Sequence, residues 1–304
     1  VIVIVAPGQG SQTPGFLAPW LELPGASEHL AQISDGVGID LAAHGTTSDA
    51  DTIRDTKVAQ PLIVAAGLLT LAALGERRNR VGGIAGHSVG EITAAAGAGI
   101  LSEADAVGFV AERGRAMADA AALEPTGMSA VIGGDEAALL GRLAELGLQP
   151  ANFNGGGQLV VAGALPALAQ LAENPVAGTR VIPLQVAGAF HTRYMQPAVG
   201  RLELFAAGLE KHDPLLPIWT NRDGSQVESG AHFVQLMVGQ VSSPVRWDLT
   251  MESLAAVGVT GIVELAPAGA LVGLAKRGLK GIPSVAVKTP DDLQAAFDLI
   301  DGDN

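Results

Sequence analysis

The stretch Val81-Gly82-Gly83-Ile84-Ala85-Gly86-His87-Ser88-Val89-Gly90-Glu91-Ile92-Thr93-Ala94-Ala95-Ala96 decides the fold. Val81 to Ala85 is a short apolar run, the pattern of a strand. Val89 to Ala98 is rich in alanine, the pattern of a helix. The pentapeptide Gly86-His87-Ser88-Val89-Gly90 joins them. Gly-x-Ser-x-Gly in that context predicts a nucleophile elbow, a tight strand-to-helix turn that exposes the serine hydroxyl. The glycines let the backbone turn sharply and leave room beside Oγ. The helix N-terminus after Ser88 favours a developing negative charge. With 13 serines and 40 glycines in 304 residues, about 0.2 such pentapeptides arise by chance, so the context has to decide. The competing reading is an ordinary glycine-rich loop.

Outward from the elbow, the chain opens on Val1-Ile2-Val3-Ile4-Val5, a β-branched run of the kind buried on both faces of a sheet. Pro7-Gly8-Gln9-Gly10-Ser11-Gln12 follows as a turn-rich loop. Helical patterns cover 16–33 (broken by Pro19 and Pro24), 61–74 and 102–121, the last with Ser102 as N-cap. Strands alternating with helices predict an α/β fold with a central parallel sheet covered by helices. After Glu124-Pro125-Thr126-Gly127 the pattern changes. A strand over 128–132, a helix over 135–146, strands over 149–153 and 158–162, a helix over 166–173 and a strand over 180–186 follow. That β-α-β-β-α-β order predicts an inserted ferredoxin-like α+β subdomain. The expected division is a larger catalytic domain from 1–125 and 191–304, with 126–190 inserted into it. In its second part, helices over 195–209, 231–239, 247–257, 270–278 and 290–300 alternate with strands over 217–220, 261–265 and 284–287.

Hydrophobic residues make up 48% and charged residues 16%, which is globular rather than disordered. Aromatics are 4%, so the core is built mainly from Ala, Val, Leu and Ile. A net charge of −13 argues against a nucleic-acid surface, which needs basic residues to replace counterions. An acidic partner requires a local basic patch, and there are two clusters, Arg77-Arg78-Arg80 and Lys276-Arg277-Lys280. Each reads first as a solvated helix end. No cysteine is present, which excludes disulfides, thiolate metal sites and a cysteine nucleophile. The opening run is too short for a signal-peptide core. No apolar stretch reaches the length of a membrane span without charge, Gly or Pro. The expectation is a soluble cytoplasmic protein without membrane or nucleic-acid partners.

A serine nucleophile needs a base. His87 adjoins Ser88 on the elbow and should point away from Oγ. His29, His212 and His232 sit in polar settings, and His44 follows an apolar pair. His191 lies in Val186-Ala187-Gly188-Ala189-Phe190-His191-Thr192, where the inserted segment hands back to the larger domain. Such junctions form clefts. From position alone, His191 reads equally as a base and as a structural histidine. The acids between Ser88 and His191, such as Asp105, Asp119, Asp135 and Glu145, fall in helical patterns, and none is a convincing triad acid. A backbone or amide carbonyl could orient the imidazole instead. Arg113, in Glu112-Arg113-Gly114-Arg115, could bind a carboxylate. Its spacing favours a surface pairing with Glu112 or Asp119.

Five motifs occur in order: Pro7-Gly8-Gln9-Gly10-Ser11-Gln12, Gly86-His87-Ser88-Val89-Gly90-Glu91, Arg113-Gly114-x-x-Met117, Ala189-Phe190-His191, and Gln240-Val241-Ser242-Ser243-Pro244-Val245-Arg246-Trp247. Over nearly the whole chain the sequence resembles the malonyl-CoA:acyl-carrier-protein transacylases of fatty-acid and type II polyketide synthesis. The resemblance implies a hydrolase-like main domain, with Ser88 as nucleophile and His191 as base. It implies that the Gln240 backbone carbonyl orients His191, and that the N–H groups of Gln9 and Val89 form the oxyanion hole. Arg113 would hold the malonyl carboxylate, with Phe190 and Met117 beside it. The implied reaction is ping-pong: malonyl passes from CoA to Ser88, then to the phosphopantetheine thiol of acyl carrier protein. No bound cofactor, no metal and a monomeric state are expected. Two loops depart from the family. Asn152-Phe153-Asn154 precedes three glycines rather than Ser-Pro, and Ala266-Pro267-Ala268-Gly269 replaces a Gly-Pro-Gly. Three alternatives remain: a serine hydrolase or thioesterase on the same elbow, a carrier-protein binder with an inert serine, and a methylmalonyl-type acyltransferase. Phe190 favours malonyl over methylmalonyl, because its ring would crowd an α-methyl group.

Overall fold

The computed structural model describes residues 1–302. The first part of the chain runs β1 (Ile2–Ala6), α1 (Ala26–Val37), α2 (Leu41–Thr46), α3 (Thr56–Leu74), β2 (Gly83–Gly86), α4 (Gly90–Gly97) and α5 (Glu103–Ala121). The middle runs β3 (Thr126–Gly133), α6 (Glu136–Leu146), β4 (Gln149–Gly155), β5 (Gln158–Ala164), α7 (Leu165–Glu173) and β6 (Thr179–Pro183). The last part runs α8 (Gln196–Ala207), β7 (Ile218–Trp219), α9 (Gly230–Gln240), β8 (Val245–Arg246), α10 (Trp247–Ala256), β9 (Gly261–Glu264), α11 (Ala270–Gly278), β10 (Ser284–Ala286) and α12 (Leu293–Asp301).

The main sheet has the order β10-β9-β1-β2-β7, every pair parallel. Side chains alternate across it with period two. Ile4, Ala6, Ile84 and Val263 face one core, with α3, α4 and α5. Val3, Val5, Ala85 and Ile262 face the other, with Met251 and Leu254 of α10 and Leu271 and Leu274 of α11. Both faces are covered, which is why β1 is apolar throughout. The expected α/β class with a helix-covered parallel sheet is what the chain forms.

The second sheet has the order β6-β3-β5-β4-β8. Its first four strands pair antiparallel, and β8 joins β4 in parallel. One face packs Val131, Leu159 and Val161 under Leu139 and Leu143 of α6 and Leu168 and Leu171 of α7. From the other, Met128, Ala151, Val160 and Ala162 join the main core. The second sheet therefore lies against the main domain, with a cleft between them.

Several boundaries differ from the sequence pattern. The helix expected over 16–33 is two pieces, a 3-10 turn at Ala18–Glu22 and then α1, parted at Gly25 (φ 79°). Helix α3 starts five residues before Pro61, because Asp55 caps it by accepting from Lys57 N at 2.9 Å. With Arg80 as its far end, Thr56–Arg80 has the length and hydropathy of a membrane span, but 78% of its most apolar window is buried inside the protein. Strand β6 stops at Pro183 rather than 186, and Leu184 and Val186 turn to line the cleft. Strand β8 is only two residues long and has no periodicity to read. Helix α2 is a single short unit that the pattern did not reveal. Of the first basic cluster, Arg77 and Arg80 bind Asp301, at 2.9 and 2.7 Å, and tie α12 to the main body.

Candidate active site

Strand β2 ends at Gly86 and α4 starts at Gly90, so Ser88 sits at the apex of the turn with φ 54°. A Cβ at Gly86 would lie 2.1 Å from the Gly90 carbonyl carbon. One at Gly90 would lie 2.1 Å from Ala6 O. Both glycines are therefore required by close backbone contact. His191 also has a left-handed backbone, φ 60°. Such non-glycine conformations cost about 1–3 kcal/mol each and persist only where the surroundings enforce them.

Ser88 Oγ lies 2.7 Å from His191 Nε2. His191 Nδ1 lies 2.9 Å from the main-chain oxygen of Gln240. A carbonyl can only accept, so Nδ1 carries the proton and Nε2 presents a lone pair to the serine. His191 is 4% exposed. Burial first, and the Arg113 charge second, push its pKa down to about 3. It is neutral at neutral pH and free to accept a proton. Among the described residues no carboxylate bonds it.

Arg113 is not a surface residue. It is 1% exposed, and Nη1 donates to Gln60 Oε1 at 2.7 Å while Nη2 donates to Gln240 Oε1 at 2.8 Å. Nη2 also lies 3.4 Å from Ser88 Oγ. Glu112 and Asp119, its expected surface partners, bind Arg201 instead. Burial pushes the Arg113 pKa down to about 10, opposed by the charge of Glu91, so the guanidinium remains charged at neutral pH.

A cavity of about 460 Å³ opens over Ser88. Its walls include Gln9, Val89, Met117, Met128, Phe190 and His191. Among the described residues, the N–H groups of Gln9 and Val89 donate to no protein acceptor. Met117 and Phe190 are buried, and Met117 Sδ accepts from Gln60 Nε2 at 3.4 Å. His87 turns away from Oγ, as its position on the elbow requires. Its Nε2 meets Asn154 Oδ1 at 3.0 Å, and its ring stands edge-on to Trp247 with centroids 5.6 Å apart. The three glycines after Asn154 form the tight β4–β5 turn, each with positive φ. Arg277, exposed on α11, also lines the cavity and donates to Gln158 at 3.2 Å. Glu264 caps α11 by accepting from the N–H groups of Gly269, Leu271 and Val272 at 2.8 to 2.9 Å. Among the described residues no group of three or more His, Asp or Glu side chains gathers as metal ligands.

Two buried residues escaped the sequence reading, Glu91 and Asn221, each 1% exposed. Glu91 accepts from Asn221 N at 2.6 Å and from Gln240 Nε2. Burial raises its pKa to about 8. An acid directly after the elbow, inside a helix otherwise made of small and apolar residues, was the available signal for Glu91. Asn221 has no sequence signal, because the elbow groups it bonds, Ser88 N, Gly86 O and Glu91, are more than a hundred residues away.

The fold and this site define an acyl-transfer protein built on an elbow serine. Residues 3–291 match the acyl transferase domain family. The chain is 51% identical over 302 residues to the malonyl CoA-acyl carrier protein transacylase of Mycobacterium tuberculosis, covering 98% of this chain and all of that one. Against the transacylase of the same name from Escherichia coli, identity is 32% over 303 residues, covering 97% and 98%. The crystal structure of MCAT from Mycobacterium tuberculosis superposes with a TM-score of 0.93 at 52% identity, covering 97% and 98%. A malonyl-transacylase in complex with its type II PKS acyl-carrier protein superposes at 0.92 with 31% identity, covering 98% and 99%. The chain belongs to the malonyl CoA-acyl carrier protein transacylase family.

Proposed function

We propose that this chain transfers malonyl from malonyl-CoA to the phosphopantetheine thiol of acyl carrier protein, through an ester on Ser88. The carrying observation is the 2.7 Å contact between Ser88 Oγ and the neutral Nε2 of His191, with the Arg113 guanidinium beside the same hydroxyl. His191 takes the Ser88 proton as Oγ attacks the thioester carbon. The oxyanion forms toward the open N–H groups of Gln9 and Val89. As the intermediate collapses, the C–S bond breaks, His191 gives its proton to the departing CoA sulfur, and malonyl-Ser88 remains. The carrier-protein thiol then loses its proton to His191 and attacks the ester. Collapse breaks the C–O bond, returns the proton to Ser88 and releases malonyl-carrier protein. The Gln240 carbonyl keeps His191 in the required tautomer, the role a triad acid fills elsewhere.

Arg113 supplies the choice of acyl group. Its charge is buried and otherwise meets only neutral amide oxygens and the hydroxyl of Ser88, with Glu91 one amide away. A malonyl carboxylate would satisfy it in bidentate fashion, and an acetyl group would not. Phe190 and Met117 shape the acyl pocket, with Phe190 set against an α-methyl branch. Residues 126–190 form the ferredoxin-like insertion, supported by the strand order β6-β3-β5-β4 and its antiparallel pairing. The larger unit, 1–125 and 191–304, carries the chemistry as a cytoplasmic monomer without a bound cofactor. Intact mass after malonyl-CoA tests the reading. A malonyl adduct should appear and then discharge when holo acyl carrier protein is added. Discharge to water alone would favour a hydrolase.

A further inference from the structure

Ser88 N–H does not point into the cavity. It donates to Asn221 Oδ1 at 2.7 Å. Asn221 Nδ2 donates to Gly86 O at 2.7 Å, on the other shoulder of the elbow. One side-chain amide thus spans the turn that holds Ser88 in its left-handed conformation. The orientation of that amide is forced, because Oδ1 faces two donors (Ser88 N and Gln240 Nε2) and Nδ2 faces a carbonyl. Main-chain bonds fix Asn221 in turn. Its N–H donates to Glu91 Oε1 at 2.6 Å, and its carbonyl accepts from Arg246 N at 2.8 Å. Glu91 Oε2 accepts from Gln240 Nε2, and Gln240 Oε1 accepts from Arg113 Nη2. The main-chain oxygen of Gln240 is the one that meets His191.

We infer that Asn221 and Glu91 are positioning residues, with Asn221 bracing the elbow of Ser88 and Glu91 setting the Gln240 side chain that aims Arg113. The inference rests on the reading of Ser88 as the acylated residue. The bond at Ser88 N is half-buried and the other side-chain bonds of the chain are buried, so water cannot replace those without rearrangement. Above its raised pKa of about 8, ionised Glu91 offers both oxygens to two N–H donors, which glutamine cannot do. One end of a glutamine amide would always present hydrogens to a donor. Asn221→Ala leaves Ser88 N–H and Gly86 O without partners and frees the strained apex to relax.

The test uses the full chain, with rapid-quench intact mass for acylation of Ser88 by malonyl-CoA and, separately, by acetyl-CoA. Folded fraction is read from near-UV circular dichroism and the urea midpoint. Asn221→Ala should slow acylation by both donors about 10- to 100-fold per folded molecule, with KM little changed. Above pH 8, where Glu91 is ionised, Glu91→Gln should lower the malonyl-to-acetyl preference about 10-fold, because Arg113 loses its aim. A merely structural role would scale both donors by the folded fraction and leave the preference alone. That result, or wild-type rates and preference in folded variants, overturns the inference. If Asn221→Ala does not fold, Asn221→Asp decides. It keeps the Ser88 acceptor but sets a second oxygen against Gly86 O, so acylation should still fall, and a wild-type rate overturns the brace. A wild-type chain that takes no malonyl would instead overturn the functional reading.

Discussion

Gln240 holds His191 with its main chain and Arg113 with its side chain. The carbonyl oxygen lies 2.9 Å from His191 Nδ1, and Oε1 lies 2.8 Å from Arg113 Nη2. One residue at the end of α9 thus holds both the proposed base and the cation proposed to select the acyl group. Its neighbour Val241 adds a third tie, accepting from His191 N at 3.0 Å. Both lean on the same residue, so a shift of its backbone would move His191 and Arg113 together.

Ser88→Ala should abolish the malonyl adduct and lower transfer by at least about 10³-fold, because the proposed ester forms on its Oγ. Intact mass and a carrier-protein transfer assay read it. A malonylated Ser88→Ala protein would remove Ser88 from its role.

The acid limb of kcat/KM should lie well below the ordinary imidazole range. An unperturbed histidine takes up its proton near pH 6.5, whereas buried His191 stays neutral until about 3. Activity should therefore persist as pH falls through 6.5. The same shift opposes folding in acid. Below pH 6.5 the unfolded chain binds a proton at this position and the folded chain does not, so stability falls as pH drops from 6.5 towards 3. Above 6.5 the effect vanishes. Urea midpoints for the wild type and His191→Gln across that window should converge at neutral pH and part in acid.

Arg113→Ala should lose malonyl transfer while gaining relative activity with acetyl-CoA. A charge-assisted bidentate contact is worth about 1.5–3 kcal/mol, so the preference should drop about 10- to 100-fold. Competition between the two donors, read by intact mass, measures it. Unchanged selectivity would leave the carboxylate to some other group.

Gly90→Ala should cost about 3 kcal/mol of stability, because its Cβ would enter the Ala6 carbonyl at 2.1 Å. The backbone must move to admit it, so Ser88 should acylate poorly even in the folded fraction. Urea titration and the adduct assay separate the two effects.

Lys276→Glu should raise the KM for acyl carrier protein and spare acylation by malonyl-CoA. Lys276, Arg277 and Lys280 are exposed at the end of α11, whose earlier turns line the cavity, so an acidic carrier would meet them as its arm enters. The effect should shrink as salt rises. An unaltered KM at low salt would discard this patch.

The sequence by itself determined the alternation of strands and helices, the elbow at Ser88 and the break near residue 125. Local chemistry suffices for these: hydrophobic period, helix caps such as Ser102, and glycines where a turn needs them. The ordered motifs carried the family. What only the tertiary structure decided were relationships across long separations. Arg113 reads from its neighbours as a surface residue, and only packing of α3 against α5 buries it beside Gln60. Asn221 reaches Ser88 across 133 positions, and Gln240 reaches Arg113 across 127. A hydrogen bond between distant segments leaves no periodicity in either of them. The missing triad acid illustrates the limit most plainly. What lies against His191 Nδ1 is a main-chain carbonyl, which every residue possesses and which no side-chain pattern can mark.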